Sequence, residues 1–114
     1  MQIFYDGRIF KLLDNSASGE VGDGTIFRYY QKDDLVWGEY SGGAIRFGTL
    51  IAKAAGDGSL DMRYQHLNTR GELMTGVCHS TPELLPDGRI RLHEKWRWTS
   101  GDLSDGESKI EEVQ

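Results

Sequence analysis

Between residues 89 and 98 the chain alternates with a period of two. Ile90, Leu92, Glu94, Trp96 and Trp98 occupy one set of positions, and Arg89, Arg91, His93, Lys95 and Arg97 the other. That period places the two sets on opposite faces of a β-strand, one largely apolar and one basic. Similar runs occur at residues 8–13, 25–31, 35–41, 44–52, 60–67, 73–80 and 108–113, and residues 2–5 predict a short edge strand. Met62, Tyr64 and His66 share a face in one run, as do Met74, Gly76, Cys78 and Ser80 in the next. Val36, Gly38 and Tyr40 do so in a third, and Phe27, Tyr29 and Gln31 in a fourth. The run 44–52 is ambiguous, because Arg46, Gly48 and Leu50 oppose Ile45, Phe47, Thr49 and Ile51. Helical spacing never persists past a glycine or a turn; the best candidate, residues 51–55, is stopped by Gly56.

Turn signals separate these runs at short intervals: Asp6-Gly7, Gly22-Asp23-Gly24, Asp33-Asp34, Gly42-Gly43, Gly56-Asp57-Gly58 and Pro86-Asp87-Gly88. Asp-Gly and Gly-Gly pairs suit the tight turns of hairpins. Consecutive strands joined in this way become antiparallel neighbours. An open meander leaves two unpaired edges, whereas about eight strands can close on themselves. The expected fold is therefore all-β: a small antiparallel up-and-down barrel of about eight to nine strands, calycin- or lipocalin-like, with a sandwich as the alternative. A single domain spanning residues 1–114 is expected.

Composition narrows the function classes. The formal net charge of −5 argues against nucleic acid or an anionic membrane as partner. No apolar run has the length of a helical membrane span. The first ten residues lack the basic-then-apolar layout of a secretory signal, so a cytoplasmic location is expected. The single cysteine, Cys78, excludes an internal disulfide and the usual structural zinc sites. Fifteen glycines against two prolines fit a chain rich in turns and bent strands.

The inward faces supply the candidate chemistry. Tyr29, Tyr40, Tyr64, Trp96 and Trp98 would wall the barrel, with Ser80, His66, Glu94 and Arg46 as polar groups. Aromatic walls with a few convergent polar groups describe a small-molecule pocket. The candidate ligand-binding residues are Tyr40, Arg46, Tyr64, His66, Glu94, Trp96 and Trp98. Arg46, if inward, is the natural partner of Glu94, and truncating Glu94 would then destabilise by a few kcal/mol. A filled barrel with that ion pair is the alternative, its function lying on the basic stripe or in an oligomer interface. An enzyme is the third reading, with His66 and Glu94 as a general acid–base pair, or Cys78 as a nucleophile beside His66 or His79. His66, His79 and His93 have no metal-ligand spacing, so no metal and no cofactor is expected. The stripe of Arg89, Arg91, Lys95 and Arg97 is expected to pair with carboxylates such as Glu39, Asp61 or Glu111 rather than with a polyanion. Residues 102–106, which suggest a calcium loop, lack its ligand spacing and read as a turn.

Five segments carry a resemblance: residues 38–43 (GEYSGG), 61–66 (DMRYQH), 71–76 (GELMTG), 80–83 (STPE) and 91–102 (RLHEKWRWTSGD). From Gly19 onward the chain resembles a family of small bacterial proteins often labelled N-acetylglutamate synthase. The resemblance implies a fold class more than an activity. An acetyl-CoA-dependent transferase of the common fold needs a strand, a glycine-rich turn and a helix whose amides hold the pyrophosphate. Here residues 19–24 run into the strand-like segment 25–30. The reading favoured is a metabolite-binding barrel of the calycin or avidin kind, by analogy of architecture.

Overall fold

The computed structural model describes residues 3–17 and 19–113. Eight strands follow one another: β1 (Ile9–Asn15), β2 (Ile26–Lys32), β3 (Leu35–Gly42), β4 (Ile45–Ala54), β5 (Leu60–Asn68), β6 (Leu73–Leu84), β7 (Ile90–Trp98) and β8 (Asp105–Glu112). Each pairs antiparallel with the next, and β8 pairs with β1, so the meander is a closed barrel. Closure leaves no sheet edge, and a barrel of this strand number has an interior about one side chain deep from every wall. The last strand begins at Asp105, earlier than the alternation of residues 108–113 suggests; the turn ends at Ser104.

The turns have local causes. Asp33 adopts φ 55° in the two-residue β2–β3 connection, a left-handed conformation that Asp tolerates better than most residues. Gly42 has φ 112°, and a Cβ there would strike the Gly24 carbonyl oxygen, so only glycine fits.

The ambiguity of residues 44–52 has a structural origin. Ile45 pairs with Asn68 but Phe47 pairs with Leu67, so one extra residue is inserted in β4. This bulge reverses the phase of the alternation. Ile45, Gly48, Leu50 and Ala52 are all buried, and Arg46 and Phe47 are exposed. Arg46 therefore does not reach the interior, and the expected Arg46–Glu94 ion pair is not formed.

The two ends of the barrel are closed differently. At the lower end, the segment before β1 is not the edge strand expected over residues 2–5: residues 3–5 are irregular, and Met1 and Gln2 lie outside the described residues. Tyr5 is instead a plug with no exposed surface, its hydroxyl donating to the Gly58 carbonyl and its amide to Gln31 Oε1 (2.8 Å). Beneath it pack Phe10, Val36, Leu60, Ile90, Leu92 and Ile110, all fully buried. At the upper end the β1–β2 ladder stops at Lys11↔Ile26, although β1 continues to Asn15 along β8. Residues 16, 17 and 19–25 cover the gap left between the two strands, fixed at one end by Ser16 to Glu107 and at the other by Thr25 Oγ1 to the Gly42 carbonyl (2.9 Å).

Part of the basic stripe over residues 89–97 is paired with carboxylates on the barrel surface. Arg91 reaches Glu111 at 2.7 Å and Glu83 at 3.6 Å, Arg89 reaches Asp87 at 2.7 Å and Glu111 at 3.2 Å, and His93 meets Glu83 at 2.7 Å. Of the three carboxylates expected as partners, Glu111 makes these pairs, while Asp61 pairs with Arg63 (2.7 Å).

Candidate functional site

The upper half of the barrel holds a cavity of about 60 Å³, room for a few waters or a handful of heavy atoms. Its aromatic lining is set by steric pairing across the sheet. Tyr40 lies opposite Gly48, Tyr64 opposite Gly76, and Trp96 opposite Gly106. A Cβ at Gly48 or Gly76 would overlap the facing tyrosine ring, and at Gly106 it would sit 2.6 Å from the Trp96 ring. Each glycine thus lets a large ring lie back along the wall instead of filling the lumen. Trp98 completes the lining, its ring 5.7 Å from those of Tyr64, His66 and Trp96.

Two polar groups punctuate this lining, and they are separate. His66 is buried on β5 between Tyr40 and Glu20: Nδ1 lies 2.8 Å from the Tyr40 hydroxyl and Nε2 lies 2.8 Å from Glu20 Oε1. An ionised carboxylate only accepts, which assigns the ring proton to Nε2 and leaves Nδ1 to accept from Tyr40. Glu20 also receives Asn68 Nδ2 at 3.2 Å and the Arg70 guanidinium at 2.8 Å. One carboxylate from the β1–β2 segment is thereby tied to three residues at the end of β5.

Glu94 is held by hydroxyls. It accepts from Ser108 Oγ at 2.9 Å and Ser80 Oγ at 3.3 Å, and Ser80 in turn lies 3.6 Å from Cys78 Sγ. Burial pushes the Glu94 carboxyl up to about 7, against the lowering effect of the Ser108 and Ser80 hydrogen bonds. Burial, with the Glu94 charge nearby, also holds the Cys78 thiol far above its usual range, so Cys78 is a protonated wall residue and not an activated nucleophile. The phenols of Tyr29, Tyr40 and Tyr64 are raised by the same desolvation.

Among the described residues, two buried polar atoms at this site have no partner: the Tyr29 hydroxyl, on a residue only 1% exposed, and Asn15 Oδ1. Both residues line the cavity. The Asn15 amide is oriented by its Nδ2, which donates to the Val21 carbonyl at 2.9 Å.

The structure therefore brings together Tyr40, Tyr64, His66, Glu94, Trp96 and Trp98 of the candidate residues, and leaves Arg46 exposed outside. His66 and Glu94 do not form the expected acid–base pair, because each is bonded to other groups. His79 is exposed and His93 faces the outer surface. Glu20, Asn15 and Ser108 were not anticipated. Ser108 is one of the even positions facing Glu94 across the sheet, a signal the alternation carries. Glu20 sits in a connection, where no periodicity points to the lumen.

An eight-stranded antiparallel meander barrel enclosing an aromatic cavity is the architecture of small-ligand-binding calycin-type proteins. A family model for avidin-like proteins matches residues 3–113, and the chain belongs to that family. Searches of curated proteins and of solved structures gave no match. Among the described residues there is no helix, and residues 19–24 lead into β2, so the strand–turn–helix cradle of a CoA-binding transferase has no counterpart there.

Proposed function

We propose that the protein binds a compact, partly polar small molecule in the upper half of its barrel. The observation that carries this reading is the unpartnered Tyr29 hydroxyl on the cavity wall. A buried hydroxyl, which can donate and accept, costs about 1–3 kcal/mol when left without a partner, and an apolar residue of the same shape would avoid the cost. The glycine-backed rings argue in the same direction, since a barrel that only needed filling would carry larger residues opposite them. Membership of the avidin-like family adds an architecture suited to holding a small ligand. Trp96, Trp98, Tyr64 and Tyr40 would form the apolar contacts, and Tyr29, Asn15 and Glu94 the polar ones.

The test is a thermal-shift and tryptophan-fluorescence screen against a metabolite library that includes acetyl-CoA, glutamate and N-acetylglutamate. Ligands of this site raise the melting temperature and change emission in the wild type, and do neither in Gly76→Ala, where Tyr64 is driven into the lumen. Hits that bind both forms equally lie elsewhere on the protein and would overturn the assignment.

A further inference from the structure

The lining of the cavity is chemically one-sided. It contains the carboxylates of Glu94 and Glu20 and the rings of Phe27, Tyr40, Tyr64, Trp96 and Trp98, and, among the described residues, no lysine or arginine. Glu20 already has a cation, Arg70, at 2.8 Å. Glu94 has none among the described residues: its oxygens accept one hydroxyl each, and a carboxylate has about four acceptor sites. The unpartnered Asn15 Oδ1 is a further acceptor, and the Tyr29 oxygen can accept as well as donate. What these atoms lack in common is an N–H donor with positive charge.

Resting on the cavity-binding reading above, we propose that the ligand is a compact organic cation bearing N–H groups, an amidinium or small primary ammonium, seated on the Glu94 carboxylate beside Trp96, Trp98 and Tyr64. The aromatic faces suit such a guest, because a cation within about 6 Å of a ring centroid is attracted by the ring quadrupole, most strongly by Trp. The volume of about 60 Å³ suits a group of a few heavy atoms and leaves no space for a bulky one. A carboxylate here is costly alone and is relieved by a counter-charge. Of the other titratable groups lining the cavity, Cys78, Tyr29, Tyr40 and Tyr64 are held protonated and neutral, and His66 is bonded to Tyr40 and Glu20. Lys95 and Lys109 flank Glu94 and Ser108 on β7 and β8, and neither forms an ion pair with Glu94 among the described residues.

Acetamidinium, acetamide and acetate have nearly the same shape and differ in charge, which makes them the probes. Each is titrated at constant ionic strength while tryptophan emission and melting temperature are followed, in the wild type, Glu94→Gln and Tyr29→Phe. Acetamidinium is expected to bind at least tenfold more tightly than acetamide, with acetate inert. Glu94→Gln should bring acetamidinium down to the acetamide level, and Tyr29→Phe should weaken it several-fold with the fold intact. Equal or tighter binding of acetamide or acetate would overturn the charge assignment and leave the cavity reading standing. Acetamidinium binding that survives Glu94→Gln would overturn the placement on Glu94. No response to any of the three would overturn the inference, and the library screen with Gly76→Ala then decides the cavity reading separately.

Discussion

The lower and upper halves of this barrel share strands, register and closure, yet they are built to different ends. Below, Tyr5, Phe10, Val36, Leu60, Ile90, Leu92 and Ile110 fill the lumen, and the chain itself supplies the stopper. Above, rings of comparable size are set back against glycines, and the space between them carries carboxylates and unpartnered oxygens. The same alternation of residues thus gives a solid core or a hollow one, depending on what stands opposite each large side chain. In the lower half Phe10 stands opposite Phe27 and fills the lumen, while in the upper half the rings facing Gly48, Gly76 and Gly106 lie back along the wall. The solid half provides stability, and the hollow half holds the groups whose desolvation opposes it.

The comparison is tested most severely in the lower half. Phe10→Ala removes a fully buried ring that packs 4.8 Å from Tyr29, and should cost about 3–5 kcal/mol in urea-induced unfolding. A loss below about 1 kcal/mol would mean that the lower half is not the stabilising one. In the upper half the sign of the volume change is reversed. Gly76→Ala adds a methyl against the Tyr64 ring and should destabilise by about 1–3 kcal/mol through overpacking. If Tyr64 can swing into the cavity, the cost falls toward the lower figure, and quenching between Tyr64 and Trp98 changes instead.

These two halves were unequally legible in the sequence. The strands, their order and the closed meander followed from period-two alternation and evenly spaced turn signals, because both are local properties. The inward faces of β5, β6 and β7 followed from the same period. The failures came where the period breaks or does not exist. One residue inserted at Arg46 leaves that side chain and Phe47 outward and turns Gly48, Leu50 and Ala52 inward, and nothing in Ala44-Ile45-Arg46-Phe47 marks a bulge. The plug at Tyr5 and the carboxylate of Glu20 come from connecting segments, whose paths are set by the barrel ends they cover. Placing Arg46 outside also changes the physics of Glu94: its loss no longer strands a buried arginine, so the large destabilisation expected from a broken ion pair has no basis.

Glu94 instead gives the hollow half a pH signature. Its carboxyl titrates near 7 in the folded protein and near the ordinary 4.5 when unfolded, so between those values the folded state holds more protons. Its contribution is fully present below about pH 4.5 and is lost as the pH rises through 7. The range is on the order of 2 kcal/mol, because the residue as a whole is only half-buried and solvent screens part of the effect. Glu94→Gln should therefore flatten the stability profile between pH 5 and 8 and gain on the wild type at pH 8. A parallel profile for the two proteins would show that Glu94 is solvated and that the upper half carries no desolvated charge.

The smallest effect belongs to the closure of the two ends. Tyr5 closes the lower end through burial, whereas residues 19–25 close the upper end through hydrogen bonds, those of Glu20 reaching His66, Asn68 and Arg70. Arg70 is largely exposed, so solvent screens its pairing and leaves it little weight in the fold. Glu20→Gln keeps the size of the side chain and removes its charge. Its cost to global stability should be about 1 kcal/mol or less, too small to decide anything by melting alone. Amide exchange separates the possibilities: protection should fall in residues 16–25 and stay unchanged in β6 and β7, because opening that segment breaks no ladder hydrogen bonds there. Uniform loss of protection around the barrel would mean that Glu20 supports the core through His66. Loss confined to residues 16–25 would show that the hollow half is closed by a segment that opens without unfolding the barrel, as the filled half cannot.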